Sequence, residues 1–164
     1  MRFFARLCLA TLMLSAFASG ARAVEWKSWD AGLASAAASR RPVLVDVYTD
    51  WCRWCKQMDR DVYGRADVGQ YLAAHFVTVK LNAEGSEAVT YEGRGTNARA
   101  LATSFGVSGY PTTIFLTAKG EHLANVPGYI EPERFLLLLR FIGDGHMDRG
   151  EKWDDYVKKS GGAK

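Results

Sequence analysis

Pro42-Val43-Leu44-Val45-Asp46-Val47-Tyr48-Thr49-Asp50-Trp51-Cys52-Arg53-Trp54-Cys55-Lys56 is the stretch that decides how this chain is read. The run to Tyr48 is dominated by β-branched and apolar residues and predicts a buried strand. From Cys52 to about Asp61 there is neither Gly nor Pro, which predicts a helix. Cys52 therefore opens a helix, where unpaired backbone N–H groups and the helix dipole favour a thiolate over a thiol. Cys55, three residues on, shares that face and is able to close a disulfide with Cys52. One thiol that attacks and one that resolves are the minimum equipment for thiol–disulfide exchange.

Two other readings of the pair are weaker. A zinc site needs two more ligands, yet Cys8 is the only other cysteine, and His75, His122 and His146 form no closely spaced pair. No metal is expected. A purely structural staple at this spacing closes so short a loop that it stabilises little.

At 164 residues the chain has room for one domain with a sizeable core. Its start is not part of that core. A basic Met1–Arg6 precedes an apolar run, Leu7–Phe17, too short to span a bilayer, and Ala21-Arg22-Ala23 is a small-x-small cleavage site. Residues 1–23 are expected to be a cleaved signal peptide that takes Cys8 with it. Export places Cys52 and Cys55 outside the reducing cytosol, in the periplasm, where a disulfide persists. The leader holds Arg2, Arg6 and Arg22 and no acid, which leaves 18 basic and 18 acidic residues in the mature chain. That balance, with no basic tract interleaved with aromatics, argues against nucleic acid as a ligand.

Outward from the cysteines, Trp26–Arg40 reads as an amphipathic helix through Trp29, Leu33 and Ala37. Asp67 is the expected cap of a short helix ending at His75. Phe76–Leu81 alternates as a strand, Ala83–Gly95 reads as a polar loop, and Thr96 or Asn97 opens a helix to Phe105. Thr112–Thr117 and Glu121–Val126 read as a hairpin around Ala118-Lys119-Gly120, followed by a helix from Glu131 to Phe141. The fold class is α/β: a central mixed sheet flanked by helices, with an extra N-terminal helix. Residues 24–142 form the expected domain. The polar tail 143–164 carries Trp153, Tyr156 and Val157, which are able to dock one more helical turn.

This order resembles the thioredoxin superfamily from about Arg41 to Ile142, on four separated signals. They are Trp51-Cys52-Arg53-Trp54-Cys55-Lys56, Asp46 six residues before Cys52, Lys80-Leu81-Asn82, and Gly109-Tyr110-Pro111-Thr112. Within the superfamily the chain is most similar to the C-terminal periplasmic domain of the transmembrane thiol reductase DsbD, and to exported proteins of the SoxW kind. Asp59, four residues past Cys55, belongs to that likeness. The Arg53-Trp54 dipeptide departs from both thioredoxin's Gly-Pro and the small apolar pair of DsbD.

The resemblance implies a role for each residue. Cys52 is the nucleophile and Cys55 the resolving thiol. Asp46, buried in a strand, accepts the Cys55 proton, and Lys80 offsets the cost of burying it. Arg53 and Asp59 tune the thiols electrostatically. Trp51, Tyr110 and Pro111 receive the client, with Pro111 in cis freeing the Tyr110 backbone to pair with an extended chain. The implied activity is protein-disulfide reduction without metal or organic cofactor, on disulfide-bearing exported proteins. A membrane thiol carrier of the DsbD type is the implied electron donor. A disulfide oxidase or isomerase, or a non-catalytic module that captures clients during cytochrome maturation, are the alternatives.

Overall fold

The computed structural model describes residues 23–161, so the expected leader, Ala23 apart, lies outside the described residues. Its organising element is β1 (Val43–Tyr48), which is covered on both faces and so needs apolar residues at successive positions. β1 pairs in parallel with β2 (Val77–Asn82) and antiparallel with β5 (Thr112–Leu116), which pairs antiparallel with β6 (His122–Pro127). The sheet order is β2-β1-β5-β6.

Strand alternation divides the core in two. Val43, Val45, Val47, Val79, Leu81 and Ile114 face α1 (Trp29–Ser39) and α4 (Ala98–Ser104). Leu44 and Phe115 face α3 (Ala66–His75) and α5 (Pro132–Gly143), where Leu72, Phe135 and Leu139 close over them. α1 lies flat on β2 because Gly32 has no side chain; a Cβ there would overlap Val79. The mixed sheet with helices on both faces is the architecture the sequence predicts.

Several boundaries differ from expectation for local reasons. α1 begins at Trp29, not Trp26, because Lys27 is drawn out alongside β2: its N–H donates to the Thr78 carbonyl and its carbonyl accepts from the Lys80 N–H. Arg65, not Asp67, stands at the N-cap of α3; Asp67 lies inside the first turn and accepts from the Val68 N–H and the Arg65 guanidinium. Asn97 caps α4 as expected, accepting from the Ala100 N–H.

The largest correction concerns Ala83–Gly95. It carries a hairpin of β3 (Ala88–Tyr91) and β4 (Arg94–Asn97). Glu92 and Gly93 turn it, both at positive φ, as a two-residue hairpin turn requires. Trp29 holds the hairpin down. Its indole donates to the Thr90 carbonyl at 2.9 Å, Asp30 accepts from the Thr90 N–H, and Tyr91 packs edge-on against the indole. Replacing buried Trp29 by Ala is expected to cost about 3–5 kcal/mol, read from urea unfolding.

The tail forms α6 (Trp153–Lys159), whose Tyr156 is buried against Phe141 of α5. Among the described residues no helix is long and apolar enough to cross a membrane.

Candidate active site

β1 ends at Tyr48, and the chain turns through Thr49–Trp51 so that the Cys52 N–H donates to the Thr49 carbonyl. Cys52 is then the N-cap of α2 (Arg53–Met58), with its sulfur accepting the Cys55 N–H at 3.0 Å. This bond gives the sulfur the donor that a thiolate needs at a helix start. Cys52 and Cys55 are joined as a disulfide with Cα atoms 5.3 Å apart. The two are 3% and 4% exposed, so only a narrow face of the bridge meets solvent.

Two aromatic pairs flank that face. Trp51 and Trp54 are the large apolar side chains most open to solvent among the described residues, at 65% and 54%. The Trp51 indole donates to Glu84 at 3.0 Å and packs edge-on against Tyr110 at 5.9 Å. Trp54 tilts over Tyr129 at 5.5 Å. Arg53 between them is exposed. The Tyr110–Pro111 bond is cis, and the Pro111 carbonyl accepts from the Gly128 N–H at 2.8 Å. Glu84 and Tyr129 carried no sequence signal: they meet the tryptophans through tertiary packing.

The strand that leads into the cysteine turn and its parallel neighbour carry a charge cluster. Asp46 is 1% exposed and stands opposite Lys80 in the parallel β1–β2 register. Lys80 Nζ is 3.1 Å from Asp46 Oδ2 and donates to both Asp59 oxygens, at 2.6 and 2.8 Å. Lys80 thus holds Asp59 as well as Asp46. α2 runs directly into a π-helical turn (Asp59–Tyr63), of which Asp59 is the first residue. Trp26 and Tyr48 place their rings 5.1 and 5.0 Å from the Lys80 ammonium. A solvent-open recess of about 440 Å³, lined by Val24, Trp26, Asp59, Tyr63 and Lys80 among others, reaches the outer side of the cluster.

Burial pushes the Asp46 carboxyl up to about 6; Lys80 opposes the shift and Asp59 adds to it. Burial works to lower the Lys80 ammonium, but Asp46 and Asp59 outweigh it and hold it above its ordinary value. The result is a buried acid that changes charge near neutrality, on the strand that leads into the cysteine turn. Among the described residues no three His, Cys, Asp or Glu side chains converge as a metal site would require.

Comparison with known proteins agrees with this geometry. A family model described as a thioredoxin-like domain matches residues 29–143. The thiol:disulfide interchange protein DsbD of Ralstonia nicotianae is 38% identical over 112 residues, 68% of this chain but only 17% of that protein. The disulfide bond reductase DsbH of Chlamydia pneumoniae is 25% identical over 125 residues, 71% of this chain and 75% of that one. Among solved structures, a thioredoxin from Thermus thermophilus superposes with a TM-score of 0.64 at 28% identity, covering 79% of this chain and 95% of that one.

Proposed function

The chain belongs to the thioredoxin-like domain family and carries the Cys-x-x-Cys disulfide of a thiol–disulfide oxidoreductase, and from that premise we propose that it is an exported protein-disulfide reductase. In this reading residues 1–23 are a cleaved leader, residues 24–142 are the catalytic domain in the periplasm, and residues 143–164 extend it. The observation that carries the reading is the Cys52 sulfur at the start of α2, accepting the Cys55 N–H at 3.0 Å between two exposed tryptophans.

The Cys52 thiolate attacks one sulfur of a client disulfide, and the other client sulfur leaves as a thiolate. Cys55 then passes its proton to Asp46 and attacks the Cys52 sulfur. The second client thiolate leaves, and the Cys52–Cys55 disulfide forms. Asp46 suits this step because it accepts a proton near the working pH. Lys80, with Asp59 as its other partner, keeps the Asp46 carboxylate that awaits this proton from being an unpaired buried charge. Trp51, Tyr110 and Pro111 form the client-binding wall, and Trp54 with Tyr129 forms the opposite one. Arg53 favours the Cys52 thiolate by its charge.

The direction of exchange is supported by likeness to DsbH, named a disulfide bond reductase, over most of that protein's length. A reductase in an oxidising compartment must be recharged, so the proposal includes a membrane thiol donor of the DsbD type and disulfide-bearing exported clients.

Equilibration of the cysteine pair with dithiothreitol or glutathione buffers tests the direction. The expected potential is near thioredoxin's, about −270 mV; a value near about −120 mV would make the protein an oxidant and overturn the reading.

A further inference from the structure

Among the described residues four buried side-chain oxygens lack a hydrogen-bond partner: Thr49 Oγ1, in the turn before Cys52, and Asp46 Oδ1, Thr113 Oγ1 and the Tyr63 hydroxyl. Thr113 and Tyr63 are 0% and 5% exposed, so bulk water does not satisfy them. Asp46 and Thr113 are direct cross-strand partners on β1 and β5, which points both side chains to one face. Tyr63 reaches that face from the π-helical turn. Its ring is fixed edge-on between Trp26, at 4.9 Å, and Phe135, at 5.5 Å. Asp46 and Thr113 both lie near enough to bear on the Tyr63 hydroxyl, and burial holds its pKa well above the ordinary value, so it stays a donor.

We propose that Tyr63 is a positioning residue for Asp46: together with Thr113 it supplies Asp46 Oδ1 with the hydrogen bond that Oδ2 receives from Lys80. The bond forms on a small rotation or across a single bridging water, since three orphaned groups are about what one buried water satisfies. The chemistry is that of a neutral donor on a carboxylate, which favours the charged form and sets the pH at which Asp46 takes up a proton. The inference rests on the reading of Asp46 as the acceptor of the Cys55 proton.

The charged and titratable groups facing Asp46 are Lys80 from β2, Asp59 and Tyr63 from the π-helical turn, and Tyr48 on its own strand. β5 contributes only the Thr113 hydroxyl. A purely packing role for Tyr63 would leave the Asp46 titration unmoved when the ring is kept and the hydroxyl removed.

Tyr63→Phe makes that change. In the oxidised protein neither cysteine titrates, so carbon-13 NMR of labelled aspartate carboxyls reports Asp46 directly. The expected midpoint lies about one pH unit higher in Tyr63→Phe. Thr113→Val should move it the same way and Thr113→Ser should restore it. Should Tyr63→Phe fold poorly, the two Thr113 variants carry the same expectation. An unchanged midpoint in a folded Tyr63→Phe or Thr113→Val protein overturns the proposal. Rapid-mixing kinetics of mixed-disulfide release separate it from the reading beneath it. A raised midpoint with an unaltered pH–rate profile supports Tyr63 as the positioning residue and removes Asp46 from the proton path.

Discussion

Cys55→Ser protein mixed with a disulfide-bearing protein is expected to accumulate as a covalent adduct through Cys52, while Cys52→Ser protein gives none. The structure makes the two sulfurs unequal. Cys52 sits at the N-cap of α2 and receives the Cys55 N–H, so its thiolate is the stabilised one. Cys55 lies inside the first turn. Without its thiol nothing attacks the mixed disulfide, and multiple turnover should fall to background. Non-reducing gels read the adduct directly, and intact mass identifies the sulfur that carries it. Equal adducts from both variants would reverse the assignment of attacker and resolver.

Asp46→Asn is expected to release the mixed disulfide about a hundredfold more slowly, the low end of what proton-transfer assistance supplies. It should also make the protein more stable at neutral pH. An ordinary aspartate gives up its proton near 3.9, whereas folded Asp46 holds it to about 6. Between those values the native state binds a proton that the unfolded chain has lost, so stability falls as pH rises through the window. Above it the cost is complete, about 2–3 kcal/mol for a shift of this size. Asp46→Asn should therefore gain that amount at pH 8 and nothing at pH 4, measured by urea unfolding of the oxidised protein. An equal gain at both pH values would mean that the substitution acts through packing. Lys80 remains paired in the variant, because Asp59 already accepts two hydrogen bonds from it.

What the sequence disclosed and withheld follows from the range of the interactions involved. The unit from Val43 to Cys55 is legible because strand, turn and helix are adjacent in the chain and their spacing fixes the chemistry. Asp46 and Lys80 are legible as a pair only through the likeness, which supplied the parallel register that joins them. The β3–β4 hairpin was not legible: its strands have four residues each, and its turn puts Glu92, a residue with little taste for positive φ, in the left-handed region. Trp29 and Asp30 make the hairpin worthwhile from sixty residues away, which no local pattern encodes. The same holds for Tyr63. It reads as one more core aromatic, and no periodicity announces the π-helical turn that carries it.

The disulfide closes a very short loop yet is almost wholly enclosed by the fold, and this has a thermodynamic consequence. Oxidised folded, reduced folded, oxidised unfolded and reduced unfolded protein are the four corners of a closed cycle. In the unfolded chain the pair behaves as any short Cys-x-x-Cys peptide. Every preference that the fold adds, such as the amide on Cys52, must reappear as a difference between the unfolding free energies of the two redox forms. For a two-electron couple the exchange rate is about 30 mV for each 1.4 kcal/mol. Comparing the melting of oxidised and reduced protein therefore works as a potentiometer, and it reads the fold's redox preference with no client and no electron donor in the tube.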